Sequence, residues 1–220
     1  MTTEATQLHC RLVLVTPKGA APEALAAQIA QAGQGGDVAS IIVPQYALGG
    51  DGYQGLLETV VPAGQRIGAA VMAAGEPRMA MRTGADGVHL RGGVGEIVAA
   101  IADLADDDRL IGADGGTSRH TALEIGEARP DYVFFGRLGG DTHAMAHPKA
   151  ADLARWWADF VEIPAVLMGG FDLDHLDAAA GTGVDFVALS QAVFGPGVDT
   201  AAAVAKANAI LREHSLEDAA

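Results

Sequence analysis

The chain's clearest capacity for chemistry lies where two apolar runs stop. Ala165 to Met168 ends in Gly169-Gly170, and Asp185 to Leu189 ends in Ser190, followed by Gln191 to Phe194. Bare backbone at a strand end lets an anion reach N–H groups with no Cβ in the way. The start of a short helix adds unpaired donors and a partial positive charge. Gly169, Gly170 and Ser190 therefore read as a phosphate cradle; the alternative is that the two glycines only form a tight turn. A second stretch, GGDTHAMAHPK from Gly139 to Lys149, spaces His143 and His147 four apart. With Asp141 they could hold a metal on one face of a helical turn. The HExxH pattern is absent and Pro148 disturbs a helix there, so a mobile, solvated lid is the other reading. The three lysines, Lys18, Lys149 and Lys206, all lie outside strands. A Schiff-base aldolase needs a buried, pKa-lowered lysine, so that class is not expected.

Alternating elements must position these groups. Apolar strands are expected at Arg11–Val15, Val38–Val43, Ala69–Ala73, Asp86–Leu90, Arg109–Ala113 and Tyr132–Phe135, followed by the two above. Helical spacing separates them: Pro22–Ala32, Tyr53–Arg66, Pro77–Thr83, Val94–Leu104, Thr117–Ala128, Ala150–Phe160, Asp172–Ala180 and finally Asp199–Glu213. Pro62 should bend or end the second helix. Short, continuously apolar strands fit a parallel sheet covered on both faces. Eight strand–helix units in 220 residues predict an α/β fold, a single-domain (β/α)8 TIM barrel over residues 1–220, with residues 1–9 a flexible segment. A doubly wound open sheet is the competing architecture.

In such a barrel the chemistry sits on the loops after the strands. Those loops offer Thr16 and Lys18, Gln45 and Tyr46, Glu76 and Arg78, Arg91, then Asp114, Thr117 and Ser118, and finally Arg137, Thr142 and Lys149. His89 falls inside the fourth strand and reads as a satisfied core histidine.

Composition excludes other classes. The net charge is −14 with only 14 Lys plus Arg, a surface that repels nucleic acid and anionic membranes. Cys10 is the single cysteine, so neither an internal disulfide nor a Cys-based zinc cluster can form. No apolar run approaches the roughly 20 residues of a membrane span. A cytoplasmic protein with a small phosphorylated ligand is the expectation, with a homodimer as the oligomeric state to look for.

GADGVHL (Gly84–Leu90), DYVFFG (Asp131–Gly136), IPAVLMGGF (Ile163–Phe171) and VDFVALSQAVFG (Val184–Gly195) resemble, in order and spacing, the thiamine phosphate synthase/TenI superfamily. The resemblance implies a TIM barrel that grips a phosphate by backbone N–H groups, here at Gly169, Gly170, Leu189 and Ser190. It implies a synthase joining a thiazole phosphate to a pyrimidine diphosphate with magnesium, or a TenI-like thiazole tautomerase. Elsewhere this chain departs from the pattern. Of a Gln, Arg and Lys alternation that binds pyrophosphate, only Gln45 remains. Asn-Asp-Arg is replaced by Ala74-Gly75-Glu76, and the magnesium-side Gly-Gln-x-Asp stretch by Arg91-Gly92-Gly93-Val94. The fifth-strand serine falls near Asp114 or Gly115, with Ser118 as a substitute if the loop shifts. Thr142 and Lys149 stand in for a Thr-Pro-Thr-Lys loop, and Arg137 stands where the tautomerase histidine is expected. A rebuilt site would draw on Glu76, Arg91 and Lys149. The alternatives are a non-catalytic phosphate-ester-binding barrel, or an enzyme acting on another phosphorylated metabolite through Arg91, Asp114 and Arg137.

Overall fold

In a computed structural model, which describes residues 9–104 and 108–214, eight parallel strands close in sequence order, each paired with the next and the last with the first. They are β1 (Arg11–Val15), β2 (Ser40–Pro44), β3 (Ala70–Ala74), β4 (Gly87–Leu90), β5 (Leu110–Asp114), β6 (Tyr132–Phe135), β7 (Ala165–Met168) and β8 (Phe186–Leu189). The helices are α1 (Pro22–Gly35), α2 (Gly50–Arg66), α3 (Pro77–Thr83), α4 (Val94–Asp103), α5 (Arg119–Glu127), α6 (Pro148–Phe160), α7 (Leu176–Ala180), α8 (Gln191–Phe194) and α9 (Thr200–Arg212). This is the (β/α)8 barrel, not the open sheet. Of the flexible segment expected at 1–9, only His9 lies among the described residues, where it forms an isolated bridge.

Side-chain alternation along each strand makes two cores. Outward residues such as Leu12, Ile41, Val71 and Leu167 pack under the helices with Leu25, Leu57 and Trp157. Inward residues Val13, Val15, Ile42, Met72, Phe134, Val166, Met168 and Ala188 fill the bore. One layer of that bore is polar. His89 on β4, Gly112 on β5 and Tyr132 on β6 stand side by side in register. Because Gly112 has no side chain, the Tyr132 ring crosses over it and stacks on His89, with centroids 5.7 Å apart and planes 20° apart. Phe134 meets the same imidazole edge-on at 5.5 Å.

The lower rim repeats one device. Each even strand from β4 on is preceded by an aspartate that reaches the odd strand before it. Asp86 accepts Val71 N–H at 2.8 Å, Asp131 accepts Ile111 N–H at 2.7 Å and Asp185 accepts Ala165 N–H at 2.7 Å. Before β2 the equivalent position is Ala39; Asp37, two residues earlier, instead accepts two bonds from the Arg11 guanidinium at 2.8 and 3.0 Å. Arg11 holds the Asp37 carboxyl below the usual carboxylate range.

Three expectations need correction. Helix α2 starts at Gly50, three residues before Tyr53, and runs unbroken through Pro62. Pro62 lies on the exposed side of the helix, where the carbonyl it leaves unbonded can be hydrated. The loop after β6 is not simply solvated: Asp141 within it is 3 % exposed. The fifth strand also extends one residue further than expected, so Asp114 belongs to β5 itself.

An alanine Cβ at 112 would lie 2.0 Å from the Tyr132 ring, which would have to leave its stacked position on His89. Gly112→Ala is therefore expected to cost about 1–3 kcal/mol by overpacking. Gly95→Ala, where a Cβ meets nothing within 4 Å, should leave stability unchanged or raise it by up to about 1 kcal/mol. Urea midpoints of the two variants would check the contrast.

Candidate functional site

The upper rim holds three groups of polar residues. The first rises from the bore. His89 is 1 % exposed, with Nδ1 2.9 Å from the Tyr132 hydroxyl and Nε2 3.1 Å from Asp114 Oδ1. The assignment that satisfies all three groups has Tyr132 donate to Nδ1 and Nε2–H donate to the carboxylate. Asp114 Oδ2 faces Arg91 Nε at 3.5 Å. A hydroxyl, an imidazole, a carboxylate and a guanidinium thus run from the sealed bore to solvent. Burial first, and then Asp114 and Asp131, push the Tyr132 phenol well above its ordinary value, so it stays a neutral donor. Sequence reasoning placed His89 in the core and Asp114 and Arg91 on the rim without joining them. The readable signal was Gly112 in mid-strand, which marks a close approach.

The second group is the end of β7 and β8. Gly169 N–H donates to Ala188 O at 2.9 Å, and a Cβ at 169 would sit 2.9 Å from Leu189 Cδ2. The four expected cradle residues are therefore neighbours. Ser190 Oγ is buried and has no hydrogen-bond partner. Thr16 Oγ1, just beyond the end of the adjacent β1, is buried and unpartnered too. The cradle is not bare, however. Gln191 N–H donates to the Asp141 carboxylate. Phe171 N–H donates to His143 O at 2.9 Å and Asp172 N–H to Ala144 O at 3.2 Å. A Cβ on Gly170 would lie 2.1 Å from Ala144 O. Gly170 is thus needed for the close approach of the loop, whatever else it serves. Tyr46, at φ 47°, donates its hydroxyl to Thr16 O at 2.8 Å and stands close over Gly139. Burial, then the Asp141 charge, raise the Tyr46 phenol to about 12.

The third group is a cleft of about 500 Å³ between the loop after β6 and the start of the loop after β5. Arg137, His143, His147 and Lys149 line it, with Thr117, Thr142 and the backbone of Gly116, Gly136 and Gly169; Phe135, Met168 and Leu153 supply apolar wall. No Asp or Glu is among its described lining residues. In a chain of net charge −14, this is a local concentration of cationic and hydrogen-bond-donating groups. Helix α6 begins here at Pro148 without a side-chain cap on its first N–H groups.

Other candidates are spent on their own loops. Gln45 Nε2 donates to Leu48 O at 2.9 Å. Ser118 caps α5, accepting Thr121 N–H at 3.2 Å and donating to Thr121 Oγ1 at 2.9 Å. Glu76 pairs with Arg78 at 2.6 Å. Magnesium takes oxygen ligands, usually one or two carboxylates completed by substrate phosphate and water. The two carboxylates that could serve it here do not fit: Glu76 is engaged by Arg78, and Asp114 by His89 and Arg91. No group of three or more His, Cys, Asp or Glu side chains placed to hold a metal occurs among the described residues. The Asp141, His143 and His147 trio is not assembled for a metal, because Asp141 turns to Gln191.

With this geometry in view, the comparisons with known proteins decide the family. The model for thiamine monophosphate synthase matches residues 12–193. The chain belongs to that family. It is 31% identical over 206 residues to the thiamine-phosphate synthase of Rhodospirillum centenum, spanning 92% of this chain and 98% of that protein. It is 32% identical over 209 residues to the thiamine-phosphate synthase of Hyphomonas neptunium, spanning 91% and 93%. Among solved structures, it is similar to a thiamine phosphate pyrophosphorylase from Pyrococcus furiosus, with a TM-score of 0.75 and 22% identity over 94% of this chain and 98% of that one. A 3-hexulose-6-phosphate synthase shares the barrel with a TM-score of 0.72 at 16% identity, over 90% and 99%. The superfamily resemblance is therefore borne out. Among the described residues, no helix is long and apolar enough to cross a membrane.

Removing the Tyr132 hydroxyl would leave His89 Nδ1 buried without a donor. Tyr132→Phe should cost about 1–3 kcal/mol in stability, the penalty for an unpaired buried polar group. Chemical denaturation of the variant would test this; an unchanged midpoint would mean that the bond carries nothing.

Proposed function

We propose that the protein joins a thiazole phosphate to a pyrimidine diphosphate with release of pyrophosphate, and that its own cations hold the departing diphosphate. The observation that carries this reading is the cleft lined by Arg137, His143, His147 and Lys149, which runs up to Gly169 at the cradle. In this reading the phosphate ester lies at the strand ends, beside Gly169, whose own N–H is held by Ala188 O, and against Gly170, Leu189 and the unpartnered Ser190 hydroxyl. The diphosphate lies in the adjoining cleft. As its bond to the pyrimidine methylene breaks, negative charge grows on the departing oxygens, and fixed cations lower the energy of that charge. Arg91 and Asp114, held by His89, face the second substrate from the bore side. The names of the full-length relatives support the same reaction. Glu76, paired with Arg78, takes no direct part.

A binding-only reading is favoured by one feature, the Asp141 carboxylate already seated on Gln191 N–H. It would have the protein hold a phosphate ester without turnover.

Isothermal titration calorimetry with thiazole phosphate, and with the pyrimidine diphosphate in the presence of magnesium, separates the readings when paired with a synthase assay. The synthase reading expects both ligands to bind and product to form. Arg137→Met and Lys149→Met should each lower turnover by about 10²-fold, the scale of one lost transition-state contact. Thiazole phosphate binding without diphosphate binding or turnover would leave a binding protein or a TenI-like tautomerase. Failure to bind either ligand would end the thiamine reading.

A further inference from the structure

The cradle at β7 and β8 has the features of an anion site, and the chain sets an anion of its own beside it, on Gln191, the residue after Ser190. Asp141 is 3 % exposed and gives a carboxylate oxygen to Gln191 N–H. The next residues of the same loop lie across Gly170: the His143 and Ala144 carbonyls take Phe171 and Asp172 N–H, and Ala144 O stands where a Cβ at 170 would be. To a backbone N–H, carboxylate and phosphate are closely related partners, compact anions with outward oxygens. They are not equal in what they satisfy. The Asp141 carboxylate leaves Ser190 Oγ, 1 % exposed, without any partner. A phosphoryl group has an additional oxygen for that hydroxyl. Resident carboxylate and incoming phosphate also cannot share the position, because two anions in contact repel strongly in a partly buried site.

We infer that Asp141 occupies the phosphoryl position, and that residues 137–149 form a self-docked strap which a phosphate ester must displace to enter. The inference rests on the phosphate reading of the cradle given above. The strap also carries Arg137 and Lys149, cations of the neighbouring cleft, together with its histidines His143 and His147. Entry of a phosphate ester at the cradle therefore re-aims the groups that meet the second anion. Binding of one ligand becomes a condition for holding the other.

The test measures inorganic phosphate and thiazole phosphate binding by calorimetry on the wild type, Asp141→Asn and Asp141→Ala, with Asp159→Asn as an equal change of charge at an exposed position of α6. Amide hydrogen exchange over 137–149 is followed with and without ligand. The inference expects both Asp141 variants to bind at least about tenfold more tightly than wild type, a repulsion of 1.4 kcal/mol or more removed. Asp159→Asn should match wild type, and ligand should speed exchange across the strap of the wild-type protein. Asn keeps an acceptor for Gln191 N–H, so it remains informative if the Ala variant folds poorly. Equal affinity in all proteins with unchanged exchange overturns the strap and leaves the phosphate reading standing. No binding by any of them, with the carboxylate gone, overturns both.

Discussion

Eight parallel strands close only if the side chains they turn inward fill the bore, and here the filling depends on a missing side chain. Gly112 lets the Tyr132 ring cross from β6 to His89 on β4. That crossing seals the middle of the barrel and supplies the buried imidazole with its hydroxyl donor. With Nδ1 satisfied from below, Nε2 is left to face upward to Asp114, which meets Arg91 at the rim. Packing deep in the bore thus sets the orientation of charged groups at the mouth.

Above that seal, the rim works against the charge of the whole molecule. A chain of net charge −14 repels anions at a distance. Screening confines that field to about 10 Å at ordinary ionic strength, and contacts inside a cleft are set by the groups that line it. Those groups are Arg137, His143, His147 and Lys149, gathered on one side of the loop after β6. The loop's one buried carboxylate, Asp141, faces away from them to the start of α8. One segment therefore presents cations to the cleft and an anion to the cradle.

The strands, the barrel and the family were legible because they rest on local patterns. Short apolar runs between helical spacings are visible residue by residue, and the motifs from Gly84 to Gly195 carry the family. The site was less legible because its determinants are contacts between distant segments. Nothing local to Asp141 announces that it reaches Gln191, fifty positions along the chain. Gly169-Gly170 was expected to admit an anion or to form a tight turn, and in the structure it is the Ala144 carbonyl of the same chain that approaches Gly170. Ser118 and Gln45 looked available because their type and position suited a site; each is engaged by its own loop. Pro62 misled because a proline on the wet side of a helix gives up a bond that water can replace. The aspartates of GADGVHL, DYVFFG and VDFV were recognised as family motifs, and their physical work, capping the strand before, emerged only in three dimensions.

Those aspartates give the barrel a grain. Each fastens an even strand to the odd strand before it, and for the first pair an exposed side-chain ion pair, Arg11–Asp37, ties β1 to the segment that leads into β2. The lower rim is thereby divided into four quarters of two strands each, every quarter closed by its own clasp. Seams between quarters rely on the strand ladders and the shared filling of the bore. When such a barrel opens short of complete unfolding, a quarter with its helices is the natural unit to leave together. The clasps all lie at the end opposite the chemistry. A quarter can therefore acquire new rim loops while its fastening stays intact, and the barrel can be refitted for a different substrate one quarter at a time.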